Sequence, residues 1–282
     1  MLGLVNNNST KPMKLDLLFR QCIEHNASDL HLSSGMPVLY RIDGDLVRMS
    51  EEVLCKDQLQ AALMDIMQSD QQTHFQEELA CDFSFEVPGL SRFRANVYEQ
   101  SRGIAAAFRC IPAQIPSLVS IQAPAILSKL LSHPRGLILV TGSTGSGKST
   151  TLAAMVDHLN QNTAKHLLTL EDPIEFVHHP KQCLVHQREI GAQASSFEAA
   201  LRSAMREDPD VILVGELRDL ETIRLAISAA ETGHLVLATL HTSGAAKCID
   251  RIVDVFPAEE KNMVRNMLSE SLTAVISQVL LK

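Results

Sequence analysis

The sequence predicts an α/β protein in two parts, and three observations carry that prediction. From Pro124 onward, short apolar runs alternate with amphipathic helical stretches, the order of a mostly parallel sheet covered on both faces. At the head of that half, Gly142-Ser143-Thr144-Gly145-Ser146-Gly147-Lys148-Ser149 fits the phosphate-loop pattern, Gly, four residues, then Gly-Lys-Ser. Before Pro112 the pattern changes to strands at hairpin spacing with a few helices, which makes a smaller α+β domain.

The elements follow in order. Met1 to Pro12 is polar, with Asn6-Asn7-Asn8, and is expected to be a flexible start. Leu15, Leu18, Phe19, Cys22 and Ile23 recur at helical spacing between Lys14 and His25, and Asn26-Ala27-Ser28 ends that helix. Strands are predicted at Asp29 to Ser33, Val38 to Ile42 and Asp45 to Met49, the last two joined through Asp43-Gly44, a strong hairpin signal. Helices over Lys56 to Gln68 and Ser69 to Leu79 precede strands at Cys81 to Val87, Arg92 to Glu99 and Ile104 to Ile111. Three prolines and little periodicity between Pro112 and Pro124 read as a linker and a hinge.

The second half opens with a helix at Ala125 to Leu131. A buried strand at Leu137 to Val140 then feeds the glycine-rich loop and a helix from Thr150 to Leu159. Further strands are expected at Leu167 to Leu170, Val211 to Val214 and Leu235 to Leu240, and further helices at Phe197 to Arg206, Leu220 to Glu231 and Ala245 to Val253. Ala258 to Lys282 reads as helical throughout, with Met263, Met267, Leu268, Leu272, Val275, Ile276 and Leu280 spaced for burial.

Composition narrows the function classes. At 282 residues, with 45% hydrophobic and 21% charged, the chain is long enough for two cores and reads as globular. A formal net charge of −8, with no Lys/Arg cluster longer than a pair, argues against nucleic acid as a partner. The cysteines, Cys22, Cys55, Cys81, Cys110, Cys183 and Cys248, include no Cys-x-x-Cys pair, so neither a zinc site nor a disulfide framework is expected. Neither a secretory leader nor a run of the roughly 20 apolar residues needed for a membrane helix is seen. A cytoplasmic location follows, without direct membrane insertion.

The loop states its chemistry most directly. Successive backbone N–H groups that end on a helix N-terminus present fixed positive potential to a polyphosphate. Gly142, Gly145 and Gly147 allow positive φ and leave room for phosphate oxygens. Lys148 would reach the β- and γ-phosphates of a nucleotide, and the Ser149 hydroxyl would complete the shell of a Mg²⁺ ion. Carboxylates are expected at two strand tips. Asp210-Val211-Ile212-Leu213-Val214-Gly215-Glu216 delivers Glu216, although Gly215 stands where an acidic residue usually precedes it. Thr169-Leu170-Glu171-Asp172-Pro173 delivers Glu171, and Pro173 stops the strand. His234 and His241 bracket one strand, and a neutral imidazole can donate and accept at once, so both are candidates to sense the γ-phosphate. All of these residues are expected at the carboxyl ends of the strands. Among Arg92, Arg94, Arg102 and Arg109, Arg94 and Arg109 are suited to stabilise charge on a phosphate held by a neighbouring subunit, although the four also read as a solvated face.

These residues carry a family resemblance. Thr144-Gly145-Ser146-Gly147-Lys148-Ser149-Thr150-Thr151, Glu171-Asp172-Pro173-Ile174-Glu175, Arg206-Glu207-Asp208-Pro209-Asp210 into Gly215-Glu216, and Thr232-Gly233-His234 through Leu240-His241-Thr242 resemble the four signatures of the secretion ATPase superfamily. Ser28-Asp29-Leu30-His31-Leu32 and Arg41-Ile42-Asp43-Gly44-Asp45 look like its type IV pilus retraction branch, the motors of twitching motility. The resemblance implies a PAS-like domain over 13–111, a linker over 112–123 and a RecA-like ATPase domain over 124–282. It implies a homohexamer with ATP between domains, bound through 142–150 including Thr150, and work done on an inner-membrane pilus platform protein at the inner face of that membrane. It casts Glu216 as the catalytic glutamate, Glu171 as its assistant at metal or water, His241 with His234 as γ-phosphate sensors, and Arg94 and Arg109 as phosphate-contacting arginines. Ser143 stands where relatives usually have proline. The family's C-terminal helices, with their Ala-Ile-Arg-Asn-Leu-Ile motif, have no counterpart before Lys282, so a fragment or a truncated product is expected.

Three other readings compete. One is a pilus assembly or type II secretion ATPase, whose longer N-terminal region and four-cysteine zinc site are not seen. Another is a non-hydrolysing subunit that modulates a paralogous motor ATPase. The last is a RecA-like nucleic-acid motor, which the charge balance disfavours.

Overall fold

In a computed structural model the described residues are 13–111 and 114–280, so the flexible start expected over 1–12 lies outside them. The chain divides into two compact units, Met1–Ala113 and Gln114–Lys282.

The first unit is an antiparallel sheet with helices. Its elements are α1 (Leu15–Glu24), β1 (Asp29–Ser33), β2 (Pro37–Ile42), β3 (Asp45–Val53), α2 (Lys56–Asp65), α3 (Ser69–Glu78), β4 (Ala80–Val87), β5 (Ser91–Gln100) and β6 (Gly103–Ile111). The sheet order is β3-β2-β1-β6-β5-β4. Asp43 and Gly44, at φ 50° and 93°, supply the two positive-φ residues that a tight hairpin between β2 and β3 requires. Alternation does the rest: Phe93, Ala95 and Val97 of β5 are buried, and Arg94 between them is exposed. Leu15, Phe19 and Cys22 bury one face of α1, and the Phe19 ring meets those of Phe85, Phe93 and Phe108 at centroid distances of 5.4, 4.6 and 5.0 Å.

The second unit is built on a parallel sheet. It comprises α4 (Ile126–Leu130), β7 (Gly136–Thr141), α5 (Lys148–Asn162), β8 (His166–Glu171), β9 (Leu184–Glu189), α6 (Phe197–Ala204), β10 (Val211–Val214), α7 (Leu220–Thr232), β11 (Leu235–Leu240), α8 (Ala245–Asp254), α9 (Lys261–Ser271) and β12 (Leu272–Ser277). The sheet order is β12-β7-β11-β10-β8-β9. All its pairings are parallel. Each central strand feeds two cores. Leu137 and Leu139 of β7 join the core under α6 to α9, while Ile138 and Val140 join the one under α4 and α5. That is why these strands read as unbroken apolar runs. Burying each such aliphatic side chain contributes about 1.5–3 kcal/mol.

Three expectations change. The segment read as linker, 112–123, belongs with the second unit from Gln114 on, because Leu118 buries in its core and Ile121 and Ala123 pack against it. Residues 272–277 form β12, not the continuation of a helix. A short apolar run fits either state, and here Val275 and Ile276 are β-branched and pair with Leu139 and Val140 of β7, while Thr273 lies at a register shift between Leu272 and Ala274. Strand β9 was missed because Leu184-Val185-His186-Gln187-Arg188-Glu189 carries few apolar residues; it is an outer strand, paired only with β8.

Candidate functional site

The glycine-rich loop leaves the carboxyl end of β7 and enters α5 at Lys148. Gly147, at φ 88°, is the left-handed residue that turns the chain into the helix. At Gly142 the constraint is space: a Cβ there would stand 2.4 Å from the carbonyl oxygen of Gln278 and 2.5 Å from Ser146 Oγ. Lys148 is only 8% exposed, and its Nζ donates to the carbonyls of Gly142 (3.0 Å) and Ser143 (2.9 Å). Burial pushes its pKa down, and the carboxylates of Glu216 and Glu175 oppose that shift. Ser143, Thr144 and Gly145 are exposed, whereas Ser149 and Thr150 are half-buried in the first turn of α5.

Parallel pairing brings the neighbouring strand tips to the same edge. Glu171 ends β8, Gly215-Glu216 follows β10 and His241 follows β11. Gly215 occupies its position for a steric reason. Its N–H donates to Leu170 O at 2.8 Å, and a Cβ would meet that oxygen at 3.2 Å and the Cα of Glu171 at 3.4 Å. The side chain of Glu216 is 14% exposed, with His241 Nε2 at 3.4 Å from Oε2 and Arg218 ion-paired to Oε1. That bond to Glu216 raises the pKa of Arg218. Glu171 Oε1 accepts from Thr169 Oγ1 at 2.5 Å and from Gln187 Nε2 at 3.1 Å; burial, the larger effect, pushes its pKa up.

The donor set suits Mg²⁺. Among the described residues no group of three or more His, Cys, Asp or Glu could hold a metal ion. Mg²⁺ is ordinarily held by one or two protein oxygens together with substrate phosphates and water, and the Ser149 hydroxyl in the first turn of α5 and the Glu171 and Glu216 carboxylates at the end of β8 and just past β10 are oxygens of that kind.

Two expectations about position need restating. His234 is not at this edge. It precedes β11 at the amino ends of the strands, its carbonyl accepting from Gly136 N and its Nδ1 bonded to Ala229 O at 3.0 Å. Histidines bracketing a six-residue strand stand roughly 20 Å apart, so within one chain they cannot share a phosphate. Arg94 and Arg109 lie in the first unit, directly opposite one another on β5 and β6, and both are exposed. Arg109 Nε is bonded to Asp29 Oδ1 at 3.0 Å, and the Asp29 side chain is 12% exposed. Sequence reasoning missed Arg218, Gln187 and Gln278. Arg218, two residues past Glu216, was within reach of the strand-tip argument; the other two lie on β9 and just past β12, strands that were not foreseen.

Comparison with known proteins gives the family. The family model described as type II/IV secretion system protein matches residues 6–282. The chain is 59% identical to the "Type IV pilus retractation ATPase PilT" of Pseudomonas aeruginosa over 259 residues, which is 92% of this chain and 75% of that protein. It is 53% identical to the "Twitching motility protein" of Neisseria gonorrhoeae, over 95% of this chain and 71% of that one. A crystal structure described as the pilus retraction motor PilT with bound ADP superposes with a TM-score of 0.92 at 47% identity, covering 95% of this chain and 79% of its own. With the glycine-rich loop, the RecA-like parallel sheet and a family match over nearly the whole length, this chain belongs to the type II/IV secretion system protein family, as a P-loop ATPase.

Proposed function

We propose that the chain is the ATP-hydrolysing motor subunit of type IV pilus retraction, acting as a Mg²⁺-dependent homohexamer. One observation carries the reading: in a chain 59% identical to a retraction ATPase, Lys148, Glu171, Glu216 and His241 gather at the same edge of a parallel sheet. Residues 142–150 hold the phosphates through backbone N–H groups, and Lys148 exchanges its loop carbonyls for β- and γ-phosphate oxygens. Ser149, with Glu171 and Glu216, would hold Mg²⁺, which when bound would neutralise charge on the transferring phosphoryl group. Glu216 orients the attacking water and takes its proton as the water oxygen bonds to the γ-phosphorus and the bond to the bridging oxygen of ADP breaks. His241, whose Nε2 stands 3.4 Å from Glu216 Oε2, reports on the γ-phosphate.

In this reading 13–111 is a PAS-like domain that lends Arg94 and Arg109 to a neighbouring subunit's nucleotide, and domain closure around ATP does the work. The partner is an inner-membrane platform protein, and the location is the cytoplasmic face of that membrane. Among the described residues no helix is long and apolar enough to cross a membrane. Phosphate release by the purified chain tests the reading. Turnover should need both ATP and Mg²⁺ and should fall by roughly 100-fold or more in Lys148→Ala. Turnover undiminished in that variant would overturn it.

A further inference from the structure

The residue that follows β12 touches the phosphate loop at both of its ends. The backbone N–H of Gln278 donates to Thr141 O at 2.8 Å, one step past the β12–β7 pairing of Ser277 with Thr141. Its carbonyl lies so close over Gly142 that a Cβ there would be 2.4 Å away. Its side-chain Nε2 donates to Thr151 Oγ1 at 2.8 Å, on the fourth residue of α5. One glutamine thus ties the entry of the loop to the helix that receives it.

We infer that Gln278 is a positioning residue for nucleotide binding, which fixes the phosphate loop from behind by linking Thr141 and Gly142 to Thr151. The inference rests on the reading of 142–149 as a triphosphate cradle. The loop amides converge on one phosphate only if Gly142 and the start of α5 keep their separation, and small errors in such a separation are costly to binding. Among the described residues no other side-chain hydrogen bond connects residues 272–280 to the loop or to α5. Gln278 Oε1 is buried without a hydrogen-bond partner, as is Ser146 Oγ within the loop. A purely space-filling role would be served by an apolar side chain of similar length, without the cost of that unpaired oxygen. What the amide adds is the bond to Thr151. Thr151 is itself 4% exposed, so water does not compete for it.

The test is a titration of the purified 282-residue chain with a fluorescent ADP analogue, alongside thermal melts without nucleotide. Gln278→Leu and Thr151→Val should each weaken binding roughly tenfold, and the double variant should be no weaker than either single one, because both remove the same bond. Thr151→Ser, which keeps the hydroxyl, should bind like the parent. Unchanged affinity in a folded Gln278→Leu or Thr151→Val protein, or losses that add in the double variant, would overturn the inference. Lys148→Ala separates it from the reading beneath it. If Lys148→Ala loses binding while the other two variants keep it, only the role of Gln278 fails; if Lys148→Ala binds like the parent, the phosphate-loop reading fails as well.

Discussion

The two sheets of this molecule solve the same burial problem in different ways, and only one of them builds an edge where strand ends collect. In the antiparallel first unit burial alternates along β5, the core holds a cluster of phenylalanines, and adjacent strands end at opposite edges. In the parallel second unit the central strands β7, β8, β10 and β11 are buried on both faces by aliphatic side chains, and every carboxyl end reaches one edge. Chemistry collects at that edge because loops from neighbouring strands are forced together there. The first unit instead presents charge on a face, as with Arg94 and Arg109 directly opposite on β5 and β6.

The most severe way to break this contrast is at the shared edge. Glu216→Gln should lower kcat by roughly 10²–10³-fold with ATP affinity nearly unchanged, measured by steady-state phosphate release. Equal losses in affinity would mean that Glu216 binds nucleotide and does not activate water. In the first unit, Phe19→Ala should cost about 3–5 kcal/mol in denaturant unfolding, since the ring is 1% exposed and touches three other phenylalanines. A smaller loss would show that the aromatic cluster closes over the gap.

Burial in the second unit also predicts a pH dependence. His178, buried in the segment that connects β8 to β9, has its pKa pushed from 6.5 down to about 4, chiefly by loss of solvent, and its Nδ1 has no hydrogen-bond partner. The unfolded chain therefore binds the proton more tightly than the folded one. Stability from this group is full above about pH 6.5 and falls as the pH drops toward 4, by roughly 2–3 kcal/mol. His178→Gln should flatten that part of the stability curve in urea melts at several pH values, and an unchanged slope would exclude His178 as its source. The smallest effect is expected at the opposite edge. His234→Ala should keep ATP turnover within roughly threefold of the parent while His241→Ala loses far more, because only His241 stands beside Glu216.

What could be read from the sequence follows the same division. The hairpin at Asp43-Gly44, the alternating strands β4 to β6 and the phosphate loop all announce themselves within a few consecutive residues. Glu171 and Glu216 were legible because each ends an apolar run. Strand β9 was not, since its outer position demands little apolar sequence, and β12 was mistaken for helix because its apolar spacing fits both periods. Gly215 looked like a weakened motif and is instead the residue that lets β10 approach the backbone of β8.

By itself the sequence determined the loop, its lysine and the acidic strand ends, since a turn of fixed glycines and a capped apolar strand are properties of contiguous residues. Tertiary structure alone decided that His241 and not His234 meets Glu216, that Arg218 caps that carboxylate, and that Gln278 braces the loop across more than a hundred residues of chain. Those contacts depend on strand order and on which end of each strand faces the site, and no local pattern encodes either.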